Sequence, residues 1–302
     1  MNLQFLMDGL VVGATLALGA TGVTLTYANL RFANFAHGEF LSWGAYLTMT
    51  LAGLVGGLSG APLAAQAPFS IGMGLLACAL LAAALTGVLA LLIDVALFRR
   101  LRQRGTAVTA VMASFGVSMA LRALLEALYS ASPRYFSEEL QIALPLGAGM
   151  RATPDQLAVC AVTVLLAAGV ALLLARTAVG RQMRAVAENP SLAQVVGIDV
   201  AGVIRITWLL GGALAAVSGV ALGLLVQVRP SMGAELLLPL FAAAIVGGIG
   251  SVPGAVVGGL IVGIAEAATV RFIGAEWRAA VSFALLIGVL LLWPTGLFGR
   301  RA

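Results

Sequence analysis

The chain has 302 residues, of which 61% are hydrophobic and only 10% charged, with a formal net charge of +5. Soluble globular domains carry roughly a quarter charged residues, so this composition, with a mean hydropathy of +1.07, places the chain among all-α polytopic membrane proteins. Its 17 basic residues are all Arg and gather at the ends of apolar runs. That is the signature of membrane topology and not of nucleic-acid binding.

The absence of Lys, which a GC-rich coding bias also explains, has chemical consequences. A Walker A loop needs Gly-Lys-[Ser/Thr], so the chain cannot be a P-loop ATPase, and Lys Schiff-base chemistry is excluded. The single His37 rules out a multi-His metal site. Cys78 and Cys160 lie in apolar runs and read as packing residues.

The apolar runs predict spans at 5–28, 35–57, 70–97, 106–129, 154–176, 206–228, 237–250, 252–272 and 280–298. They consume the chain, so 1–302 reads as one transmembrane domain. The first run has no basic n-region and carries Asp8 near its start. It reads as a retained span and not a cleaved signal peptide. The run 237–250 covers only about 21 Å as a helix, short for a crossing, so it is either a ninth span or re-entrant and the chain has eight or nine transmembrane helices.

Asn34-Phe-Ala-His37-Gly-Glu39 opens the second span. His37 and Glu39 are two apart, so on a helix they form neither a metal pair nor a catalytic dyad. Ionisable groups inside a membrane are candidates for function; the alternative is a helix cap anchored at the inner interface. Arg122 and Glu126, spaced i, i+4, are expected to neutralise one another inside the bundle. The connection 130–153 holds Tyr135, Phe136, Glu138 and Glu139. It is either a plain connector or a docking surface for a soluble partner.

The longest polar stretch runs from Arg176 to Arg205, and 177–205 is assigned as one cytoplasmic loop. Arg181, Arg184 and Glu188 recur at i, i+3 and i+7 and share a helical face. Asn189-Pro190 is a helix-start signal, with Asn as N-cap and Pro at the first position. Gly197 is a left-handed stop. Leu192, Val195 and Val196 leave a small apolar patch at the tip. Such a helix either fits a groove on another protein or lies on the membrane surface.

The densest glycine run is Gly247-Gly248-Ile-Gly250-Ser-Val-Pro253-Gly254 continuing to Gly263. A dinucleotide reading fails, because Pro253 stands near where a third Gly is wanted and no βαβ pattern surrounds it. Small residues spaced by four let helices approach closely. Gly and Pro interrupting an apolar stretch also open helix ends toward a substrate. Glu266, near an outer span end, is either structural or pathway-lining.

Charge counting orients the chain. With the N-terminus outside and nine crossings, Arg31, Arg99, Arg100, Arg102, Arg104, Arg176, Arg181, Arg184, Arg205, Arg300 and Arg301 fall inside, which makes 11. Only five fall outside: Arg134, Arg151, Arg229, Arg271 and Arg278. The positive-inside rule favours this arrangement, with a cytoplasmic C-terminus.

Four stretches together carry a resemblance: Asn34 to Glu39; the loop from Gly180-Arg181 through Glu188-Asn189 to Gly197-Ile198; Gly247 to Gly254; and Val281-Ser-Phe-Ala-Leu-Leu with Pro294-Thr-Gly-Leu-Phe-Gly-Arg300. The chain resembles the H-type inner-membrane permease of bacterial branched-chain amino acid ABC importers, nearly end to end. The resemblance implies a multi-pass inner-membrane subunit that works with a second, different permease, two cytoplasmic ABC ATPases and an extracytoplasmic solute-binding protein. ATP would be used by the partners, with no cofactor bound by this chain. The polar loop would dock into an ATPase groove through Gly180, Arg181, Arg184, Glu188, Asn189, Leu192 and Gly197. Asn189-Pro190 is a local variation on the family pattern. The motifs also leave Asn34, His37, Glu39, Gly248, Gly250, Pro253, Gly254 and Glu266 as candidates for pathway or gating.

Relatives of this type carry branched-chain amino acids, urea, short amides or aromatic compounds. A rival reading is an ion-coupled secondary transporter. It would need coupling carboxylates near mid-membrane, whereas Glu39, Asp94, Glu126 and Glu266 fall mostly near predicted span ends. An intramembrane enzyme is disfavoured by the lone His and the lack of His-Glu-x-x-His and Gly-x-Ser-x-Gly.

Overall fold

The structure is a computed structural model that describes residues 3–59, 69–137, 141–147 and 149–299. It is almost wholly helical. In chain order the elements are α1 (Gln4–Leu30), α2 (His37–Ser59), α3 (Met73–Ile93), α4 (Arg99–Arg104), α5 (Ala107–Tyr129), β1 (Leu144–Gly147), β2 (Met150–Ala152), α6 (Pro154–Arg176), α7 (Ala178–Glu188), α8 (Pro190–Val195), α9 (Val200–Leu225), α10 (Met232–Gly247), α11 (Val252–Phe272) and α12 (Arg278–Leu292). A wider turn over Asp94–Phe98 joins α3 to α4 without a break. Among the described residues, eight helical stretches are long and apolar enough to cross a membrane, and α10 is a shorter apolar helix.

The connections place the helix ends on two opposite faces. On one face the side-chain amide of Gln4 donates to the Arg151 carbonyl (2.9 Å), Phe5 meets Phe272, and Arg134 pairs through its backbone with Val228. On the other, Arg31 touches the end of α7, and the segment after α12 reaches Gly248. The two described ends of the chain therefore lie on opposite faces. A bilayer allows this architecture because each helix satisfies its own backbone groups.

At the centre lies α1, packed on α11, α9, α10 and α6. It is buried along most of its length, whereas α12 is almost entirely on the outside. The α1–α11 contact is a seam of glycines. A Cβ on Gly263 would sit 2.3 Å from the Gly13 nitrogen, and one on Gly259 would sit 2.7 Å from the Ala17 Cα. Only residues without side chains allow this approach, which hydrocarbon solvent does not otherwise drive. A second knot is aromatic: Trp208 stacks on Phe98 at 5.3 Å and meets Phe40 edge-on, while Phe98 also meets Phe32.

The structure corrects several sequence-based boundaries. The segment expected at 237–250 is a helix from Met232 to Gly247, so it starts earlier and has 16 residues. Its start packs on the start of α2, where a Cβ on Gly233 would sit 2.1 Å from the Gly38 carbonyl. α9 begins at Val200, capped by Asp199, whose carboxylate accepts from the Gly202 amide at 2.9 Å. Arg205 therefore stands on a long helix and not in the preceding connection. The last span ends at Leu292. Pro294–Gly299 turns back instead, and the amides of Leu297 and Phe298 donate to the Val246 and Gly247 carbonyls at 2.9 and 3.0 Å. These carbonyls end α10 and would otherwise lack partners. The turn needs a left-handed residue, supplied by Gly296 (φ +72°).

The connection 130–153 contains the β1–β2 hairpin, while Glu138 and Glu139 lie outside the described residues, as do Arg300 and Arg301. Arg122 and Glu126 do not pair. Among the described residues the ion pairs are Asp94–Arg102, Asp199–Arg205, Glu235–Arg229 and Glu266–Arg278. Glu126 points out of the bundle while Arg122 is half-buried. The i, i+4 spacing permits contact without compelling it.

Candidate functional site

Two groups of predicted residues come together, one on a polar face and one inside the bundle. The polar face is built by α7 and α8. Thr177 makes the corner: its amide closes α6 on the Leu173 carbonyl (3.1 Å), and its hydroxyl caps α7 by accepting from the Gly180 amide (3.0 Å). The turn is so tight that a Cβ on Gly180 would lie 2.4 Å from the Leu173 and Leu174 backbone. No other residue fits there unchanged.

The α7 helix is strongly two-faced. Met183 and Val186 are buried with Leu25, Val170, Val203 and Val252. Arg181, Arg184 and Glu188 are exposed, as their spacing predicts. Arg184 donates to the Leu174 carbonyl at the end of α6. Arg31, at the end of α1, donates to the carbonyls of Ala187 and Glu188 at 3.1 and 2.8 Å.

Asn189 closes α7 and opens α8, its side-chain oxygen accepting from the Leu192 amide at 3.0 Å, with Pro190 at the first helical position. Ala193 turns inward. Leu192, Val195 and Val196 turn outward, and Val195 is 83% exposed. Gly197 (φ +87°) ends the helix, and the Ile198 amide returns to the Ala193 carbonyl. The outcome is an exposed apolar tip on a helix pair whose other side packs on the bundle.

The second group is deeper than the sequence suggests. Beyond Arg31 the chain turns back into the bundle, burying Phe32, Asn34 and Ala36, and α2 starts beside the middle of α1. His37 is 1% exposed, with Nε2 3.3 Å from the Gly19 carbonyl, and its ring lies where a side chain on Gly22 would be. Glu39 is fully buried and accepts from Ser118 at 3.1 Å. The expectation that these residues anchor α2 at the interface is therefore corrected to burial within the bundle. Asn34 caps the turn by accepting from the Ala36 amide. Three polar atoms here, Asn34 Nδ2, His37 Nδ1 and Glu39 Oε2, have no hydrogen-bond partner.

The glycine run divides by position. Gly247 and Gly254 face each other where α10 crosses α11, with the Gly254 carbonyl 2.0 Å from a Cβ on Gly247. Gly248 (φ +101°) abuts Gly299. Gly250 and Pro253 instead line an open cleft of about 730 Å³ together with Arg31, Arg184 and Glu188. Glu266 is buried on α11 and accepts from Arg278 Nε (2.7 Å) and Ser282 (2.5 Å), fastening α12 to α11. Sequence reasoning missed Arg31 as a site residue. Its signal is an Arg at the end of a long apolar helix, which reads as ordinary topology.

The fold and these two groups define a multi-pass membrane protein that presents a short two-helix polar loop on one face. The family "Branched-chain amino acid transport system / permease component" matches residues 5–290, and the chain belongs to that family. It is 34% identical to the high-affinity branched-chain amino acid transport system permease protein BraD of Pseudomonas aeruginosa, over 99% of this chain and 96% of BraD. The LivH protein of Escherichia coli K12, of the same description, is also 34% identical over 99% of this chain and 96% of its own length. A probable LivH of Methanocaldococcus jannaschii is 29% identical over 98% and 92%. No solved structure gives a significant match. The chain is thus an ABC importer permease of the LivH and BraD type, a transport subunit and not itself an enzyme.

Proposed function

We infer that the chain forms half of the translocation path for branched-chain or other small hydrophobic amino acids. It sits in the bacterial inner membrane with its N-terminus outside. The other half comes from a second, different permease. Two cytoplasmic ABC ATPases use ATP, and an extracytoplasmic protein delivers the solute. This chain binds no cofactor, and the absence of Lys assigns the Walker A loop to its partners.

The observation that carries the reading is the α7–α8 loop: a two-helix unit capped at both starts, with an apolar tip, inside a fold of this family. That geometry suits a groove on a soluble protein. The membrane-surface alternative is less favoured, because the apolar side of α7 is already buried against the bundle. Of the carboxylates the ion-coupled alternative could use, Asp94 and Glu266 are neutralised by Arg102 and Arg278 and Glu126 is exposed, which leaves it Glu39 alone.

Uptake of labelled leucine into proteoliposomes holding the whole assembly tests this. ATP-dependent uptake, competed by isoleucine and valine, is the expected result. Uptake driven by a proton or sodium gradient without ATP would contradict it. Competition by urea, amides or aromatic compounds alone would reassign the substrate within the same mechanism.

A further inference from the structure

We propose that Arg31 is a positioning strut that carries movement of the α7–α8 loop to the central helix α1; the proposal rests on the docking role of that loop. Arg31 ends α1 in the left-handed conformation (φ 58°), its amide closing the helix on the Tyr27 carbonyl at 2.8 Å. Glycine normally takes such a position, because a Cβ is strained there. Among the described residues only Arg31 and Ser130 break that preference. The side chain present instead is used: its guanidinium donates to two consecutive carbonyls, Ala187 and Glu188, at the end of α7.

Two features make this contact a strut and not ordinary packing. First, Arg31 and Glu188 line an open cleft with Tyr27, Gly250 and Phe298. Arg31, Ala187 and Glu188 all line it, so the contact stands at the edge of the apolar packing that joins α7 to Leu25 of α1. Second, the helix it ends is the central one, joined without side chains to α11 through Gly9, Gly13, Gly259 and Gly263. A push on α7 is thereby delivered to the helix in closest contact with α11. At its other end α7 is fixed to α6 by Arg184 and the Gly180 corner. The loop thus has a hinge on α6 and a strut on α1. Both hydrogen bonds come from one guanidinium nitrogen, Nη2, at the end of the longest reach the side chain allows.

The test is Arg31→Gly in the complete assembly, because glycine relieves the backbone strain and leaves folding intact. The readouts are leucine transported per ATP hydrolysed and co-purification of the ATPases. Arg31→Gly is expected to keep the ATPases and their hydrolysis, while transport per ATP falls on the order of tenfold, as loss of two charge-assisted hydrogen bonds implies. Arg31→Lys is expected to fall between. Wild-type transport by Arg31→Gly would overturn the proposal. So would loss of the ATPases from it, which would make Arg31 part of the docking surface. A Leu192→Asp variant separates the two levels. If it keeps the ATPases, the docking reading fails and the strut with it. If it loses them while Arg31→Gly transports normally, the strut alone fails.

Discussion

The α1–α11 seam and the α7–α8 loop are built on opposite principles. The seam is specified by what is missing: at Gly9, Gly13, Gly259 and Gly263 the absent side chains let two backbones touch. In a bilayer the lipid is as apolar as the helices, so close fit and not apolar burial decides the pairing. The loop is specified by what is present. Thr177, Asn189 and Asp199 each lend a side-chain oxygen to a backbone amide, and each marks a change of direction. The seam tolerates no added volume, whereas the loop's exposed positions tolerate surface change.

The largest expected effect tests the seam. Gly263→Leu drives a side chain into the α1 backbone, and such overpacking costs on the order of 3 kcal/mol. Fluorescence-detected size exclusion of the solubilised protein should show loss of the folded peak, and a wild-type profile would break the contrast. Next is the cap. Asn189→Ala removes the bond to the Leu192 amide, worth about 1 kcal/mol, so α8 frays while the membrane part stays intact. ATPase affinity should fall about fivefold, with thermal stability of the solubilised chain unchanged. The smallest effect is expected from Glu266→Gln. Arg278 is 45% exposed and recovers solvation when its partner is lost. Uptake should stay ATP-driven and within about twofold of wild type. Abolished uptake would instead point to a carboxylate acting in the pathway.

Much of this was legible in the sequence, and the reasons for success and failure are physical. Span 154–176 was read to the residue because Asp155 and Arg176 bound an apolar run with no charge between them. Asn189, Pro190 and Gly197 marked α8 because caps are local chemistry. The depth of His37 and Glu39 was not legible, because it depends on the chain turning back after Arg31, and hydropathy does not encode depth. The start of α10 was placed late because Glu235 interrupts its apolar run. The Arg122–Glu126 pairing failed because helical spacing fixes proximity but not which neighbouring helix competes. Arg31 was counted for topology alone, since its contacts lie 156 and 157 residues away in sequence.

The central claim is that the α7–α8 tip joins this permease to separate ATPase subunits. The most direct measurement is co-purification from native membranes in mild detergent, comparing the wild-type chain with a Leu192→Asp, Val195→Asp variant. Both positions are exposed, so the variant should fold normally. The account predicts that a Walker-motif ATPase and a second permease accompany the wild type, and that the variant keeps the permease but loses the ATPase. Recovery of the chain alone, or an ATPase retained by the variant, would contradict it.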